Sequence, residues 1–259
     1  MLLVDLFPHQ LSIRGDRGNV TALKARAHFA GHKLEIYDLH PGNVLPTGVS
    51  GVVIGSGPDY VLADLLGDMR RLACDLKALR DDNVPFLAIS NGLRLLSEKF
   101  VSHDDVEHTA AGVYPISCHR IRRRVGESIV KCDFGELVGF ENHDIEITDN
   151  EHPLGYGLDS RGTFSRPHGF FLGNLMACFL HGAFLPLNPI VVDWFLSRMG
   201  GCATAHSVDN DCNPKQSCDN RYCCAQPSAT DLDFYSHMAR RVIKKRVTRA
   251  IRYKFIPGK

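Results

Sequence analysis

A chain of 259 residues with 44% hydrophobic and 23% charged residues has the composition of an ordinary soluble globular protein. Its formal net charge of +1 argues against a nucleic-acid partner, and its length favours one domain over 1–200 with a tail rather than two equal domains. The N-terminus has Asp5 within its apolar stretch and no basic region before it, which is atypical of a signal peptide. We therefore expect a cytoplasmic protein whose nine cysteines are reduced thiols.

Short apolar segments alternate with amphipathic segments in the first half of the chain. The apolar segments predict strands over 2–7, 33–39, 51–54 and 85–89. Helical periodicity predicts helices over 19–30 and 59–79. This alternation is typical of a doubly wound parallel sheet, so we expect an α/β, flavodoxin-like fold. In the second half, shorter strand candidates lie near 128–132, 137–140 and 174–180.

The segment that begins at Pro85 carries the most informative residue of the chain. An apolar run ends at Ser90, the chain passes Gly92, and helical spacing then resumes. This pattern predicts a strand, a tight turn and a helix, as in a nucleophile elbow, where the turn presents one side chain beside the first N–H groups of the helix. Ser90 is therefore either a nucleophile or the remnant of one.

Two further glycine-bearing turns lie at 15–19 and 55–59. In open α/β sheets, ligands bind beyond the carboxyl ends of the strands, so these turns and the Ser90 turn mark the expected site. No lysine of the phosphate-binding type follows the 55–59 turn and the dinucleotide fingerprint is absent, so we expect no nucleotide binding. Asp16 and Asn19 could equally serve only to cap the helix that begins near Gly18.

The segment 201–230 contains five cysteines and His206 among many Asp, Asn, Pro and Ser residues. The cysteines are Cys202, Cys212, Cys218, Cys223 and Cys224. Their irregular gaps lack the paired spacing of a zinc ribbon, and the composition favours a mobile linker over a metal site, which stays the alternative. We therefore expect no metal and no cofactor.

The final segment, 231–259, is strongly basic and predicts an amphipathic helix. Its expected apolar stripe consists of Tyr235, Met238, Val242, Val247 and Ile251. We favour packing of this stripe against the protein's own core or a partner subunit, and a weak peripheral contact with a membrane is the alternative.

Five segments within the first 198 residues stand in an order typical of one enzyme family. They are 15–19 (GDRGN), 55–59 (GSGPD), 87–92 (LAISNG), 138–143 (VGFENH) and 180–189 (LHGAFLPLNP). On these segments the chain resembles class I glutamine amidotransferases of the cobyric-acid-synthase-like branch. The resemblance implies a glutaminase subunit that forms a heterodimer with a Mur-ligase-like synthetase and supplies it with ammonia from glutamine. The product implied is lipid II amidated on its D-glutamate.

The same resemblance assigns roles to individual residues. Ser90 takes the place of the cysteine that attacks the glutamine side-chain amide, and His181 takes the place of the general base and acid. Backbone N–H groups near Ser56, Gly57 and Asn91 would stabilise the oxyanion. Arg123 or Arg124 would bind glutamine, although the arginines of segment 120–124 could also form a solvated face. His143 could be a polar group of the cleft or a structural hydrogen-bonding residue.

The chain departs from this family at several positions. Serine is far harder to ionise than cysteine, so we expect little activity from Ser90. No acidic residue lies two positions after His181, Arg14 occupies a position that is often aromatic, and Leu93-Arg94 replaces a frequent Tyr-Gln.

Three interpretations of Ser90 stay open: an engineered replacement of cysteine, a natural loss of activity with a scaffolding or regulatory role retained, and a working serine amidase. An amidotransferase that feeds cobalamin or purine synthesis is disfavoured by the 138–143 and 180–189 segments.

Overall fold

The structure, a computed structural model, describes residues 1–159, 161–181, 183–200 and 233–254, the last range without the side chains of residues 234 and 251–254. In chain order the helices are α1 (Pro8–Leu11), α2 (Arg17–Phe29), α3 (Asp59–Asp81), α4 (Gly92–Leu96), α5 (Phe184–Leu187), α6 (Pro189–Arg198) and α7 (Asp233–Lys254). The first six strands are β1 (Leu2–Leu6), β2 (Glu35–Leu39), β3 (Gly51–Ile54), β4 (Phe86–Ile89), β5 (Lys99–Val101) and β6 (Glu107–Thr109). The remaining strands are β7 (Ser117–Cys132), β8 (Gly135–Ile147), β9 (Gly155–Leu158), β10 (Phe164–His168), β11 (Phe170–Leu172), β12 (Leu175–Cys178) and β13 (Leu180–His181).

A six-stranded sheet forms the centre of the α/β part, in the order β11-β12-β4-β3-β1-β2. All neighbouring strands are parallel except β11 and β12. Successive side chains on a strand point to opposite faces, so Val52 packs with α3 on one face while Val53 packs with α2 and α6 on the other. Helices on both faces of a mostly parallel sheet confirm the predicted flavodoxin-like α/β fold.

A second sheet of seven strands has the order β10-β9-β7-β5-β6, with β8 pairing with both β7 and β13. Its centre is the hairpin of β7 and β8, whose register runs from Cys132 opposite Gly135 to Cys118 opposite Ile147. The predicted strands near 128–132 and 137–140 were therefore far too short. These two strands contain many polar residues, because only part of the hairpin surface faces the core. The apolar pattern in the sequence is therefore shorter than the strands themselves.

The single strand predicted near 174–180 is two strands in two different sheets. β12 extends the parallel sheet beside β4, and β13 pairs with β8 of the second sheet. The chain changes sheets at Phe179, which lies between them. A continuous apolar run gives no sign of such a change, since residues of both strands are buried. This change of sheet places His181 at the junction of the two sheets.

Helix α7 lies within the segment where a basic helix was expected, but three residues of its predicted apolar stripe do not pack against the protein. Tyr235, Met238 and Val242 are exposed, whereas Val247 is buried against the second sheet and Ile243 is partly buried there. The packed face therefore combines Val247 with Ile243, which the predicted stripe did not include, and the Ile251 side chain lies outside the described residues.

Polar contacts also hold α7 against the rest of the protein. Arg240 lies in the packed face and donates to the carbonyl oxygens of Leu187 and Glu136 and to the Asn188 side chain. At the start of the helix, Asp233 shares Arg26 of α2 with Asp193 of α6. The expected linker over 201–230, with its cysteines, lies outside the described residues, so the division of the chain into 1–200, linker and helix stays a prediction.

Candidate active site

The turn after β4 has the geometry of a nucleophile elbow. Ser90 adopts a left-handed backbone conformation with φ of 48°, which is strained for a residue other than glycine. Its N–H donates to the Cys178 carbonyl oxygen at 2.8 Å. A Cβ atom at Gly92 would lie 2.2 Å from the Gly55 carbonyl oxygen, so only glycine allows this close approach. The Ser90 side chain is buried, and its Oγ has no hydrogen-bond partner among the described residues.

The turn after β3 lies directly beside the Ser90 turn. The side-chain amide of Asn91 donates to the Gly57 carbonyl oxygen at 2.9 Å and thereby ties the two turns together. The Ser56 N–H, however, donates to Oδ2 of the buried Asp16 at 2.9 Å. Of the three residues expected to stabilise an oxyanion, Ser56 already has its N–H engaged by a carboxylate. The N–H groups of Gly57 and Asn91 are the remaining candidates for that role.

His181 is the last residue of β13, opposite Phe140 of β8, and is buried. Neither of its ring nitrogens forms a hydrogen bond with any residue that the structure describes. Its Nδ1 lies 3.8 Å from Oδ1 of Asp16, the carboxylate that binds the Ser56 N–H through its other oxygen. The imidazole and the Ser90 hydroxyl are thus both present and buried, but no hydrogen bond joins them in this state.

A buried polar network fixes the segment that carries His181. Glu141 accepts from Arg166 at 2.7 Å and from Nδ1 of His168 at 3.1 Å, and Nε2 of His168 accepts from the Phe179 N–H at 3.2 Å. Burial alone would raise the pKa of Glu141, but the His168 hydrogen bond and the Arg166 cation hold it well below its usual range. Burial lowers the pKa of His168, which keeps that ring neutral. The backbone N–H two residues before His181 is therefore held by the neutral His168 ring, which the ionised pair of Glu141 and Arg166 orients.

A cleft of about 330 Å³ opens beside the Ser90 turn. It is lined by Arg14, Pro58, Asp59, Asn91, His103, Arg120, Arg123, Asn142, His143 and Asp144. Asn91 connects it to the elbow, whereas the buried Ser90 and His181 side chains are not among its lining residues in this state. Three arginines and two aspartates in one cleft suit a small ligand that carries both a negative and a positive charge.

The two arginines proposed to bind glutamine occupy different environments. Arg123 lines the cleft and donates twice to the side-chain oxygen of Asn142, at 2.9 and 2.7 Å. Arg124 instead pairs with Glu146 at 3.3 Å and lies outside the cleft lining. An irregularity in the β7–β8 register between Arg120 and Arg124 changes the local alternation of side chains. Arg123 is therefore the better placed of the two.

His143 is a cleft residue with a structural anchor. Its ring stacks on Phe179 with centroids 4.5 Å apart, and its Nδ1 lies 3.0 Å from the Ile145 carbonyl oxygen. Burial lowers its pKa to about 3, so the ring is neutral near pH 7. With Nδ1–H donating to Ile145, Nε2 is a bare acceptor, and none of the described residues donates to it.

The 15–19 turn was expected at the site from the sequence, but the contacts of its side chains and the place of Arg14 in the cleft were not predicted. Asp16 is at the N-cap position of α2, yet its side chain makes no capping bond and turns instead to Ser56 and His181. Asn19 likewise accepts from the Leu185 N–H rather than capping its own helix. Arg14 lines the cleft and donates to the Asn142 carbonyl oxygen. The signal available for Asp16 was its place in the GDRGN segment, at a carboxyl end of the sheet.

The chain is similar to a known protein family and to a bacterial protein. A family model described as the CobB/CobQ-like glutamine amidotransferase domain matches residues 10–189. The GatD subunit of lipid II isoglutaminyl synthase (glutamine-hydrolyzing) from Staphylococcus aureus is 26% identical over 194 residues, which covers 73% of this chain and 80% of that protein.

Solved structures of glutamine amidotransferases share the fold. One such structure superimposes with a TM-score of 0.54 at 14% identity, covering 76% of this chain and 98% of the other. A second, from Thermotoga maritima, gives 0.52 at 13% identity and covers 100% of this chain and 99% of the other. The family match across residues 10–189 establishes that this chain belongs to the CobB/CobQ-like glutamine amidotransferase family.

Proposed function

We propose that this chain is the glutaminase subunit of a lipid II isoglutaminyl synthase, which supplies ammonia to a Mur-ligase-like synthetase. The observation that carries the proposal is the strained residue 90 beside an oxyanion turn, with a buried histidine at the same edge of the sheet. The family match and the similarity to the Staphylococcus aureus GatD subunit support the substrate and the partner.

The reaction begins with attack of the side chain at position 90 on the amide carbon of glutamine. His181 takes the proton of the nucleophile and donates it to the departing nitrogen, which leaves as ammonia. The N–H groups of Gly57 and Asn91 stabilise the negative oxygen of the tetrahedral intermediate. Water, deprotonated by His181, then attacks the acyl group and releases glutamate, which regenerates the side chain at position 90.

The charged cleft binds the amino-acid end of glutamine in this proposal. Arg14 and Arg123 both line the cleft, where their positive charges repel each other. Burial and then this repulsion lower the pKa of Arg14, and Asp16 and Asp144 partly offset the two effects. An α-carboxylate placed between them relieves that repulsion. Asp59 and Asp144 also line the cleft, where they pair with Arg94 at 2.7 Å and with Arg120 at 3.5 Å. Oδ2 of Asp59 is buried without a hydrogen-bond partner among the described residues, so it is the acceptor proposed for the α-ammonium group.

A serine at position 90 limits the rate of this chemistry. The serine hydroxyl must lose its proton to His181 during attack, whereas a thiol near its ordinary pKa of about 8.5 is partly ionised already. We therefore expect the chain as it stands to release glutamate slowly or not at all. The alternative function is a non-catalytic amidotransferase-like scaffold or regulatory subunit of the same ligase, which the missing Ser90–His181 hydrogen bond favours.

Glutamate release by the full chain and by Ser90→Cys, each with and without the Mur-ligase-like partner, separates these two functions. The glutaminase function predicts that Ser90→Cys raises glutamate release at least tenfold over the unchanged chain when the partner is present. If Ser90→Cys releases no glutamate with its partner present, although it still binds that partner normally, the glutaminase function is refuted and the scaffold function is supported.

Helix α7 supports a weak contact with the membrane that holds lipid II. Its outward side carries Met238 and Val242 beside the exposed cations Arg241, Lys245 and Arg249. Apolar residues flanked by cations are the composition of a helix that lies on an anionic lipid surface. Among the described residues, no helix combines the length and apolar character needed to cross a membrane.

Sedimentation with vesicles containing anionic lipid tests this contact. We expect Arg241→Glu/Lys245→Glu to reduce the bound fraction severalfold at low salt, since each cation near the surface contributes about 1 kcal/mol. The control, Lys24→Glu/Arg161→Glu, makes the same change of charge at exposed positions elsewhere. Equal loss in both variants would mean that net charge, rather than α7, determines binding.

A further inference from the structure

Among the described residues, Asp16 is the carboxylate that lies against the ring of His181. Its side chain is 1% exposed, and Oδ1 lies 3.8 Å from Nδ1 of His181. Oδ1 accepts no hydrogen bond from any described residue, and both ring nitrogens of His181 are also unpaired. A buried carboxylate oxygen without a donor is costly, and the nearest ring nitrogen can supply that donor after a shift of less than 1 Å.

The other carboxylate oxygen of Asp16 is fixed. Oδ2 accepts from the Ser56 N–H at 2.9 Å, so the carboxylate is anchored to the turn beside the nucleophile elbow. This anchoring explains why Asp16 leaves the N-cap of α2 without a side-chain bond, although aspartate is among the preferred capping residues. Its orientation toward Ser56 and His181 therefore replaces a stabilising local contact.

Two glycines make this placement possible. A Cβ atom at Gly55 would lie 3.1 Å from the Asp16 Cβ and 2.0 Å from the Leu11 carbonyl oxygen. A Cβ atom at Gly18 would lie 2.6 Å from the Ala183 Cβ. Any larger residue at either position would push the Asp16 loop away from the oxyanion turn or from the strand of His181. The close approach of these three segments is thus built into the sequence.

We propose that Asp16 is the positioning residue for His181, holding the imidazole with its proton on Nδ1 so that Nε2 is free to accept the proton of the nucleophile. This role rests on the proposed glutaminase function and supplies the acidic partner that the sequence lacks after His181. Because the same carboxylate binds Ser56, it also couples the orientation of the base to the position of the oxyanion turn.

The variant Asp16→Asn separates charge from shape. Its amide oxygen can keep the Ser56 N–H bond, which leaves the amide NH₂ facing Nδ1 of His181. A donor at that place requires a lone pair on Nδ1 and moves the ring proton to Nε2, the wrong tautomer for a base acting through Nε2. The matched control is Asp5→Asn, a second buried aspartate at the same end of the sheet, which contacts Arg17.

The direct test is the histidine tautomer measured by ¹⁵N NMR on the full chain with Ser90 unchanged, with the His181 signal assigned from His181→Gln. We expect the Nδ1–H tautomer in the unchanged chain and in Asp5→Asn, and the Nε2–H tautomer in Asp16→Asn. The same tautomer in all three would overturn the role of Asp16, whatever the activity of the protein.

A kinetic test in the Ser90→Cys background completes the design. We expect Asp16→Asn to lower kcat for glutamate release about 100-fold with little change in KM, and Asp5→Asn to leave both nearly unchanged. A change confined to KM would contradict a positioning role. An inactive Ser90→Cys chain that still shows the tautomer switch would refute the glutaminase function while supporting the placement of the proton by Asp16.

Discussion

The two sheets of this protein contribute different parts of the site. The parallel sheet supplies turns, in which the backbone geometry at Ser90 and Gly57 forms the nucleophile position and an oxyanion donor of the proposed mechanism. The second sheet supplies side chains, with His181 and Arg123 placed by strand pairing and by buried ion pairs. The turns therefore depend on small residues and on close approach of the backbone. The histidine and the arginine depend instead on a polar network, which substitutions can break one bond at a time.

The largest effect should come from removing the histidine that the second sheet provides. In the Ser90→Cys background with the partner present, we expect His181→Gln to lower kcat for glutamate release about 1,000-fold, because the nucleophile and leaving group lose their proton carrier. His119→Gln, which changes a partly exposed histidine on β7, is the control. Equal rates in the two variants would mean that the second sheet does not contribute the base.

The buried network behind His181 should have the next largest effect, on stability. Glu141→Gln leaves Arg166 without its carboxylate, so we expect the free energy of unfolding to fall by about 3 kcal/mol. Glu127→Gln removes the more exposed pair with Arg246 and should cost less than about 1 kcal/mol. Urea unfolding at pH 7.5 measures both. Similar costs in the two variants would contradict the view that the network, rather than general charge pairing, holds the second sheet.

The free energy of unfolding should also depend on pH because of a buried histidine in the second sheet. Burial lowers the pKa of His143 to about 3 in the folded chain. Below about pH 6.5, this histidine therefore binds a proton in the unfolded chain but stays neutral in the folded chain. Stability is therefore full above pH 6.5 and is lost as the pH falls, by about 2 kcal/mol at pH 5 from this residue. His143→Phe keeps an aromatic ring against Phe179 and should reduce the loss between pH 7.5 and pH 5 by that amount. An unchanged pH dependence in this variant would show that the buried ring does not resist protonation.

The smallest effect should distinguish two neighbouring arginines. We expect Arg123→Ala to raise KM for glutamine about tenfold in the Ser90→Cys background, because Arg123 lines the cleft and its partner among the described residues is the neutral Asn142 side chain rather than a carboxylate. Arg124→Ala should change KM little, since that side chain pairs with Glu146. A change in KM that is larger for Arg124→Ala than for Arg123→Ala would place the substrate on the other side of β7.

The same division explains how much could be predicted from the sequence. Strands β1 to β4 and helices α2 and α3 followed from apolar periodicity, whereas β11 and α6 were not predicted. The elbow at Ser90 followed from an apolar run that ends in a glycine-bearing turn. The β7–β8 hairpin could not be predicted at its full length, because its polar residues interrupt the alternation. The contact between Asp16 and His181 joins residues 165 positions apart in the chain, and local pattern carries no information on such pairs.

The most direct measurement of the central claim, that residues 90 and 181 form one amide-cleaving site, is covalent capture at position 90. The full-length Ser90→Cys chain would be treated with a glutamine analogue that carries an electrophile at its side-chain carbonyl, and the modified peptides identified by mass spectrometry. We predict modification at position 90 that excess glutamine prevents and that Ser90→Cys/His181→Gln slows strongly, with the exposed Cys74 as an internal control. Labelling of position 90 no faster than Cys74, or unaffected by glutamine, would contradict the account.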